Sequence, residues 1–342
     1  MLVRQMELSG LGGPERLVAR EREVPAPGAG EVRVRVEASG VAFAEVQMLR
    51  GRYPMQPRFP FVPGYDLVGR ITSVGTAVTG LAPGDRVAAM PRTGAWADEV
   101  VLPASEVVPV PAGVDPGDAV ALVTNGVTAW QLAHRSASVG PGQTVLVHGA
   151  TGGVGGLLAR LCRQAGATVV GTASEANQEA LRSEGVVPVD YRSPDLTERL
   201  RRHAPHGYDA VFDHLGPRSV ARSRALLARG GRVVSYGSAA TLRDEGGPLR
   251  PYLRMLGGLL WWDTLGEPRL TRRRRVSLYY VRPGRRFRED LTTVFGLLAA
   301  GTLTPVIHSR HPMSRAADAL RELSRGGVHG KIVLVADQER AV

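Results

Sequence analysis

The sequence predicts an α/β protein in which a doubly wound parallel sheet is set between two β-rich ends of the chain. Three observations carry that expectation. The stretch Gln143–Gly171 (QTVLVHGATGGVGGLLARLCRQAGATVVG) runs from an apolar β-branched segment through a glycine cluster and an amphipathic segment to a second apolar run, the pattern of a βαβ unit. Strand-like and helix-like segments keep alternating after it, as a parallel sheet with crossover helices requires. Residues 1–122, by contrast, hold short strand-like runs punctuated densely by proline and glycine, the texture of a small barrel or distorted sandwich.

Taken in order, Glu31–Glu37 (EVRVRVE) alternates strictly and predicts a half-buried strand. Leu67–Val74, Arg86–Met90 and Glu99–Leu102 predict further short strands, and a helical stretch is expected around Thr128–Ala133. Thr144–His148 reads as a buried strand. Leu157–Ala165 follows as a helix with Leu157, Leu158, Leu161 and Cys162 on one face. Gly166 ends that helix, and Thr168–Val170 begins the next strand. Beyond it come a helix at Asn177–Glu184, a strand at Pro188–Tyr191, and strands Tyr208–Asp213 and Gly231–Gly237 flanking a helix at Ser219–Leu227. Val276–Val281 (VSLYYV) predicts an edge strand, Leu291–Ala300 and Ala316–Ser324 helices, and Lys331–Val335 a closing strand.

The glycine turn has a specific physical use. Gly149, Gly152 and Gly155 fall in a G-x-x-G-x-x-G spacing between a strand and a helix. Glycines let main-chain N–H groups approach an anion, and a helix N-terminus adds unpaired donors and partial positive charge. In a strand–turn–helix–strand context this is the expected site of a dinucleotide pyrophosphate.

Composition narrows the classes. No run approaches the roughly 20 apolar residues of a membrane-spanning helix, and MLVRQMELSG has no apolar leader core, so a cytoplasmic location is the expectation. Cys162 is the sole cysteine, which excludes an internal disulfide. Its place on an apolar helix face predicts packing rather than reactivity. The formal charge of +11 comes almost wholly from scattered arginines, with Lys331 the one lysine. Scattered charge of this kind predicts no specific nucleic-acid face. Arg272–Arg275, behind Leu256, Leu259, Leu260 and Trp261, is the exception. It is read as part of a flap or interface, with a membrane or acidic-partner contact as the alternative.

The segments ASGVAFAEVQMLRGRYP, PFVPGYDLVG, GVTAWQL, VLVHGATGGVG, GRVVSYG and HGKIVLV together resemble the zinc-independent medium-chain dehydrogenases/reductases of the quinone oxidoreductase branch. The segment Leu253–Val281, with Trp261–Trp262, is more similar to the vesicle amine transport protein-like subgroup. The resemblance implies a Rossmann domain (123–287) inserted in a GroES-like β-barrel catalytic domain (1–122 and 288–342). It also implies NADPH in the cleft between the domains, a homodimer paired through edge strands, and a small quinone or carbonyl substrate.

The implied site follows residue by residue. Zinc-dependent relatives carry a cysteine where this chain reads Gly40-Val41-Ala42-Phe43-Ala44-Glu45, so no metal is expected. His203 and His206 have near-ligand spacing but fall in a polar stretch, expected as a loop, and are read as solvated. An acid at the end of the second Rossmann strand would accept the ribose hydroxyls of NAD and repel a 2′-phosphate. Ala173 stands there, followed by Ser174, with Glu175 close by. By resemblance Ser174 and Tyr191 would surround the phosphate, Gln178 stands where a lysine is usual, and Arg192 could supply the charge. Ala150, Gly152, Gly153, Val154 and Gly155 would hold the pyrophosphate. Thr128, Gly237, Ser238 and Lys331 would complete the cofactor site, although Thr128 also suits a helix N-cap. On the substrate side the usual asparagine and tyrosine are replaced by Ala42 and Gln47. Gln47, Tyr53 and Asn125 are the candidates for polarising the acceptor, while Tyr65 and Asp66 are read as a structural turn. The expected activity is hydride transfer from NADPH to a quinone or an α,β-unsaturated carbonyl. Two alternatives stay open: a nucleotide-binding protein with little turnover that acts at a membrane or on RNA, and a reductase for one specialised intermediate.

Overall fold

A computed structural model describes residues 2–237, 239–242, 250, 253–254, 257–258 and 275–337. The chain divides into two compact units, Met1–Val127 with Val281–Val342, and Thr128–Tyr280.

The first unit is mainly antiparallel. A hairpin pairs β1 (Leu2–Leu8) with β2 (Leu17–Glu23). The larger sheet uses β3 (Glu31–Val41), β4 (Leu67–Val74), β5 (Arg86–Ala89), β6 (Glu99–Pro103) and β7 (Val108–Pro109). The C-terminal strands Ile307–Pro312 and Lys331–Val335 join the same sheet, the latter antiparallel against β3. Strand β3 is central, with neighbours from both ends of the chain, so its Val32, Val34 and Val36 are buried. A short helix, α1 (Phe43–Leu49), follows it directly.

The second unit carries a six-stranded, wholly parallel sheet. Its strands are β8 (Thr144–Val147), β9 (Thr168–Ala173), β10 (Val187–Asp190), β11 (Tyr208–Asp213), β12 (Leu227–Ser235) and β13 (Arg275–Leu278). Their spatial order is β10-β9-β8-β11-β12-β13, the doubly wound arrangement in which the order reverses between β8 and β11. Helices α3 (Gly153–Gln164), α4 (Gln178–Ser183), α5 (Leu196–His203) and α6 (Pro217–Ala225) make the crossovers. Leu146, Val170, Val189, Val211 and Val233, one from each of five strands, pack with Leu200, Tyr208 and Val220 in one core. Such strands are buried on both faces, which is why they read as continuous apolar runs rather than as alternating ones.

Three local expectations change. The helix expected around Thr128–Ala133 is α2 (Pro116–Trp130), continued by a wider turn over Gln131–Ser136. Thr128 therefore lies inside a helix, and the N-cap reading of it fails. His203 is not in a loop but closes α5, whose outer face is charged. The strand expected at Gly231–Gly237 begins earlier, at Leu227, because Tyr208 pairs with Leu227 before a register shift. The edge strand expected at Val276–Val281 is β13, paired parallel to β12. Trp261–Trp262 and Arg272–Arg274 lie outside the described residues.

Candidate functional site

The reversal between β8 and β11 brings His148 and Gly149, after β8, beside Asp213 and His214 at the end of β11. Ligands of open α/β sheets bind at the carboxyl ends of the strands at such a point. Gly149 holds φ +64°, and a Cβ there would lie 2.6 Å from the His214 ring. A Cβ on Gly155 would overlap the Gly149 carbonyl oxygen. Both positions need glycine for space, which lets α3 start tight against the turn.

Gly152 occupies the N-cap of α3 in an extended conformation and gives no side-chain cap. The amides of Gly149, Ala150 and Gly152 are engaged by Thr172 Oγ1, Thr172 O and Gly149 O at 3.0, 2.9 and 3.0 Å. The first-turn amides of Gly153, Val154 and Gly155 have no acceptor among the described residues. Main-chain donors at a glycine-capped helix N-terminus fit a diphosphate.

Beneath the turn lies a buried polar network. His148 is 5 % exposed; its Nδ1 is 3.4 Å from Thr172 Oγ1 and its Nε2 3.1 Å from Ser223 Oγ. Ser223 donates to Asp213 Oδ2 at 2.8 Å, and Asp213 Oδ1 accepts the Leu215 N–H at 2.8 Å. Burial holds the His148 pKa below the ordinary imidazole value, against the pull of the Asp213 carboxylate. His214 Nδ1 lies 3.3 Å from the Tyr236 hydroxyl.

The residues expected at the 2′-phosphate end come together at the ends of β9 and β10. The Tyr191 amide donates to the Ala173 carbonyl at 3.2 Å, and the Arg192 guanidinium stands 5.5 Å from the Tyr191 ring centre. Ser174 opens a short turn at Glu175–Asn177, and the Gln178 side chain accepts from Arg182 at 3.1 Å. A groove of about 330 Å³ along β10 is lined by Gln178, Asp190, Arg199, Arg202 and His203. It touches the expected set only at Gln178, and its two arginines are held by Asp195 and Glu198. Gly237 packs against His214; Ser238 lies outside the described residues. Cys162 is buried and its thiol is pushed up to about 12 by desolvation, a packing residue.

In the first unit, Gln47, Tyr53 and Asn125 are all buried, and the Tyr53 and Tyr65 hydroxyls are 3.2 Å apart. Beside them is a second set of buried polar groups, Glu45, Asp66 and Lys331, which are 2 %, 0 % and 4 % exposed. Asp66 Oδ1 accepts the Gly40 N–H at 2.9 Å and Glu45 Oε2 accepts the Ala42 N–H at 2.7 Å. Lys331 Nζ is 3.8 Å from Asp66 Oδ2. Among the described residues Glu45 Oε1, Asp66 Oδ2 and Lys331 Nζ have no hydrogen-bond partner. Desolvation pushes the Glu45 carboxyl up to about 7, opposed by Lys331 and aided by Asp66. The reading of Asp66 as a mere turn residue thus understates it. Among the described residues no three His, Cys, Asp or Glu side chains converge as a metal site would require, and no helix is long and apolar enough to cross a membrane.

Comparison with known proteins settles the family. A family model described as an alcohol dehydrogenase GroES-like domain matches residues 28–112, and one described as a zinc-binding dehydrogenase matches 184–334. The rat synaptic vesicle membrane protein VAT-1 homolog is 33 % identical over 99 % of this chain and 85 % of its own. A Pseudomonas syringae quinone oxidoreductase superposes with a TM-score of 0.82 at 28 % identity, covering 97 % of this chain and 99 % of its own. The chain is a zinc-independent medium-chain dehydrogenase/reductase of the quinone oxidoreductase-like branch. A human VAT-1 homolog-like protein superposes with a TM-score of 0.81 at 27 % identity, over 99 % of both chains. A stretch amounting to 14 % of a Mycobacterium tuberculosis mycocerosic acid synthase-like polyketide synthase is 33 % identical over 90 % of this chain. Medium-chain dehydrogenases/reductases bind a nicotinamide cofactor, and the glycine-capped first turn of α3 fits its diphosphate.

Sequence spacing pointed to the glycine turn but not to Thr172, Asp213, Ser223 or His148 beneath it. The available signal was a polar residue closing each apolar strand: His148 after VLV and Asp213 after VF.

Proposed function

We propose that this chain uses NADPH to reduce a quinone or an α,β-unsaturated carbonyl by metal-free hydride transfer. The observation that carries the reading is the row of first-turn amides at Gly153, Val154 and Gly155, which have no acceptor among the described residues and stand at the reversal point of a parallel sheet. The bound nicotinamide would supply the hydride, and the chain's own groups would position and polarise. Main-chain donors of α3 would fix the diphosphate, and Thr128, Gly237 and Ser238 would meet the nicotinamide end. Ser174, Tyr191 and Arg192 would take the 2′-phosphate: no acid stands at Ala173, and the guanidinium is stacked beside the tyrosine ring. Ala42 has no side-chain donor, so polarisation of the acceptor falls to Gln47, Tyr53 or Asn125.

The similarity to part of a polyketide synthase supports adding enoyl thioesters to the acceptors tested. We also propose a two-fold dimer paired along the sheet edge at β13, where Leu278 is 52 % exposed and Tyr280, just beyond the strand, 43 %. Light scattering at micromolar protein concentration tests it, with a monomeric mass as the contrary result.

NADPH and NADH titrations, followed by oxidation assays against quinones, enones and enoyl thioesters, test the whole reading. Tighter binding of NADPH and turnover of at least one acceptor are expected. Binding without turnover of any acceptor would instead leave a nucleotide-binding protein, the reading that the vesicle-membrane names of some relatives bring to mind.

A further inference from the structure

The network under the glycine turn has a single hydrogen-bond direction, and its partners dictate it. Both Asp213 oxygens accept here, Oδ1 from the Leu215 N–H and Oδ2 from Ser223. Ser223 has one proton and donates it to Asp213 Oδ2, so Ser223 Oγ must accept from His148 Nε2, 3.1 Å away. His148 therefore carries its proton on Nε2, which leaves Nδ1 as an acceptor. Its partner is Thr172 Oγ1, which donates its proton there. The same Thr172 oxygen accepts the Gly149 N–H at 3.0 Å. The run is thus Gly149 N–H to Thr172 to His148 to Ser223 to Asp213, with each group donating to the next and none left over. It links the ends of β8, β9 and β11 with α6. Asp213 then anchors the following turn through Leu215 N–H, and the His214 ring of that turn rests on Gly149.

We propose that His148 is a positioning residue of the cofactor site: as the neutral Nε2–H tautomer it joins the glycine turn to Asp213 and so fixes both walls of the crevice at the sheet's reversal point. This rests on the cofactor reading above. A proton added to Nδ1 would set two donors, imidazole N–H and Gly149 N–H, on the Thr172 hydroxyl and turn its proton away from the acceptor it has among the described residues. The groups facing His148 are Asp213 from β11, which favours that proton, and Arg222 of α6 and His214, which oppose it. Desolvation opposes it most, so His148 stays neutral at pH 7 and titrates below the ordinary imidazole range.

The consequence runs against simple electrostatics. An extra cation near a diphosphate should tighten binding, whereas loss of the oriented run should weaken it. The test is the pH dependence of NADP⁺ and NAD⁺ affinity for the full chain, from pH 8 to pH 5, in the wild type and in His148→Asn and His148→Ala. NAD⁺ lacks the 2′-phosphate, whose own ionisation affects NADP⁺ alone. We expect wild-type affinity for both ligands to fall about tenfold across the acid limb, the scale of one lost hydrogen bond. His148→Asn, whose amide oxygen can still accept from Thr172, should bind within about threefold of wild type at pH 7 and lack that limb; His148→Ala should bind about tenfold more weakly at every pH. An acid limb unchanged in His148→Asn would assign the titration to His214 and overturn the proposal. So would wild-type affinity in His148→Ala, or tighter binding at pH 5. Circular dichroism on each variant separates unfolding from repositioning, and rescue by Asn over Ala is a readout that general loss of packing would not give. Absence of binding by the wild type at any pH would instead sink the cofactor reading.

Discussion

The two compact units each bury a polar network, and the networks are built to opposite rules. Under the glycine turn every member from Gly149 to Asp213 has a partner, and the directions of the bonds agree. In the first unit Glu45, Asp66 and Lys331 are buried as deeply, yet each keeps an oxygen or nitrogen without a hydrogen-bond partner among the described residues. A satisfied buried network rigidifies its surroundings, and a partly satisfied one carries a desolvation cost that one further group would relieve. The contrast separates a site fixed in advance from one held in tension. It also explains the sole lysine of an arginine-rich chain: Lys331 lies against Gly40, where even one added Cβ would collide with it and with Asp66, and a planar guanidinium needs more width than an ammonium.

The largest effect is expected at that lysine. Lys331→Met leaves two buried carboxyls without their cation and should cost about 3–5 kcal/mol of stability, read from the urea midpoint. Lys331→Arg should fail to rescue it. Stability equal to wild type in the methionine variant would mean that the cluster is not held in tension, and the contrast with the second unit would collapse.

Next comes Glu45. Its carboxyl is raised from 4.5 to about 7 in the folded chain, so the native state holds the proton more tightly than the unfolded one. Its contribution is therefore full below pH 4.5 and is lost as pH rises to about 7. Over that window wild type should lose on the order of 3 kcal/mol relative to Glu45→Gln, which does not titrate. A difference between the two that stays flat between pH 4.5 and 7.5 would show that Glu45 is ionised throughout.

The smallest change belongs to the satisfied network. Thr172→Val keeps the shape but strands the Gly149 N–H and His148 Nδ1, at a cost of about 1–3 kcal/mol in thermal or urea unfolding. A cost well below this range would mean that the run is slack and that water takes the place of the hydroxyl.

How much of this was legible in the sequence follows from the range of each signal. Leu67–Val74, Tyr208–Asp213 and Lys331–Val335 were readable to the residue, because continuous or alternating apolar runs end there at polar residues or glycine. The β1–β2 hairpin was not, since its connection is long and carries a short helical turn at Pro14–Arg16. Helix α5 was also missed: apart from Leu196 and Leu200 it is nearly all charged or polar, and its ion pairs with i+4 spacing show only once it is folded. The turn itself was visible as spacing. What lies beneath it was not, because His148, Thr172, Asp213 and Ser223 come from four separate segments that only the strand order brings together. Asp66 looked like a turn residue for the same reason, its partners lying 26 residues before it at Gly40 and in the final strand at Lys331.

The most direct test of the central claim is isotope transfer. NADPH carrying deuterium at the transferable position is incubated with a simple enone, and the product is examined by mass spectrometry and NMR. One deuterium is expected at the β-carbon of the saturated product, with transfer lost when Gly155 is changed to Val and its side chain collides with the Gly149 carbonyl at the first turn of α3. Unlabelled product, or labelled product formed undiminished by the Gly155→Val protein, would contradict that claim.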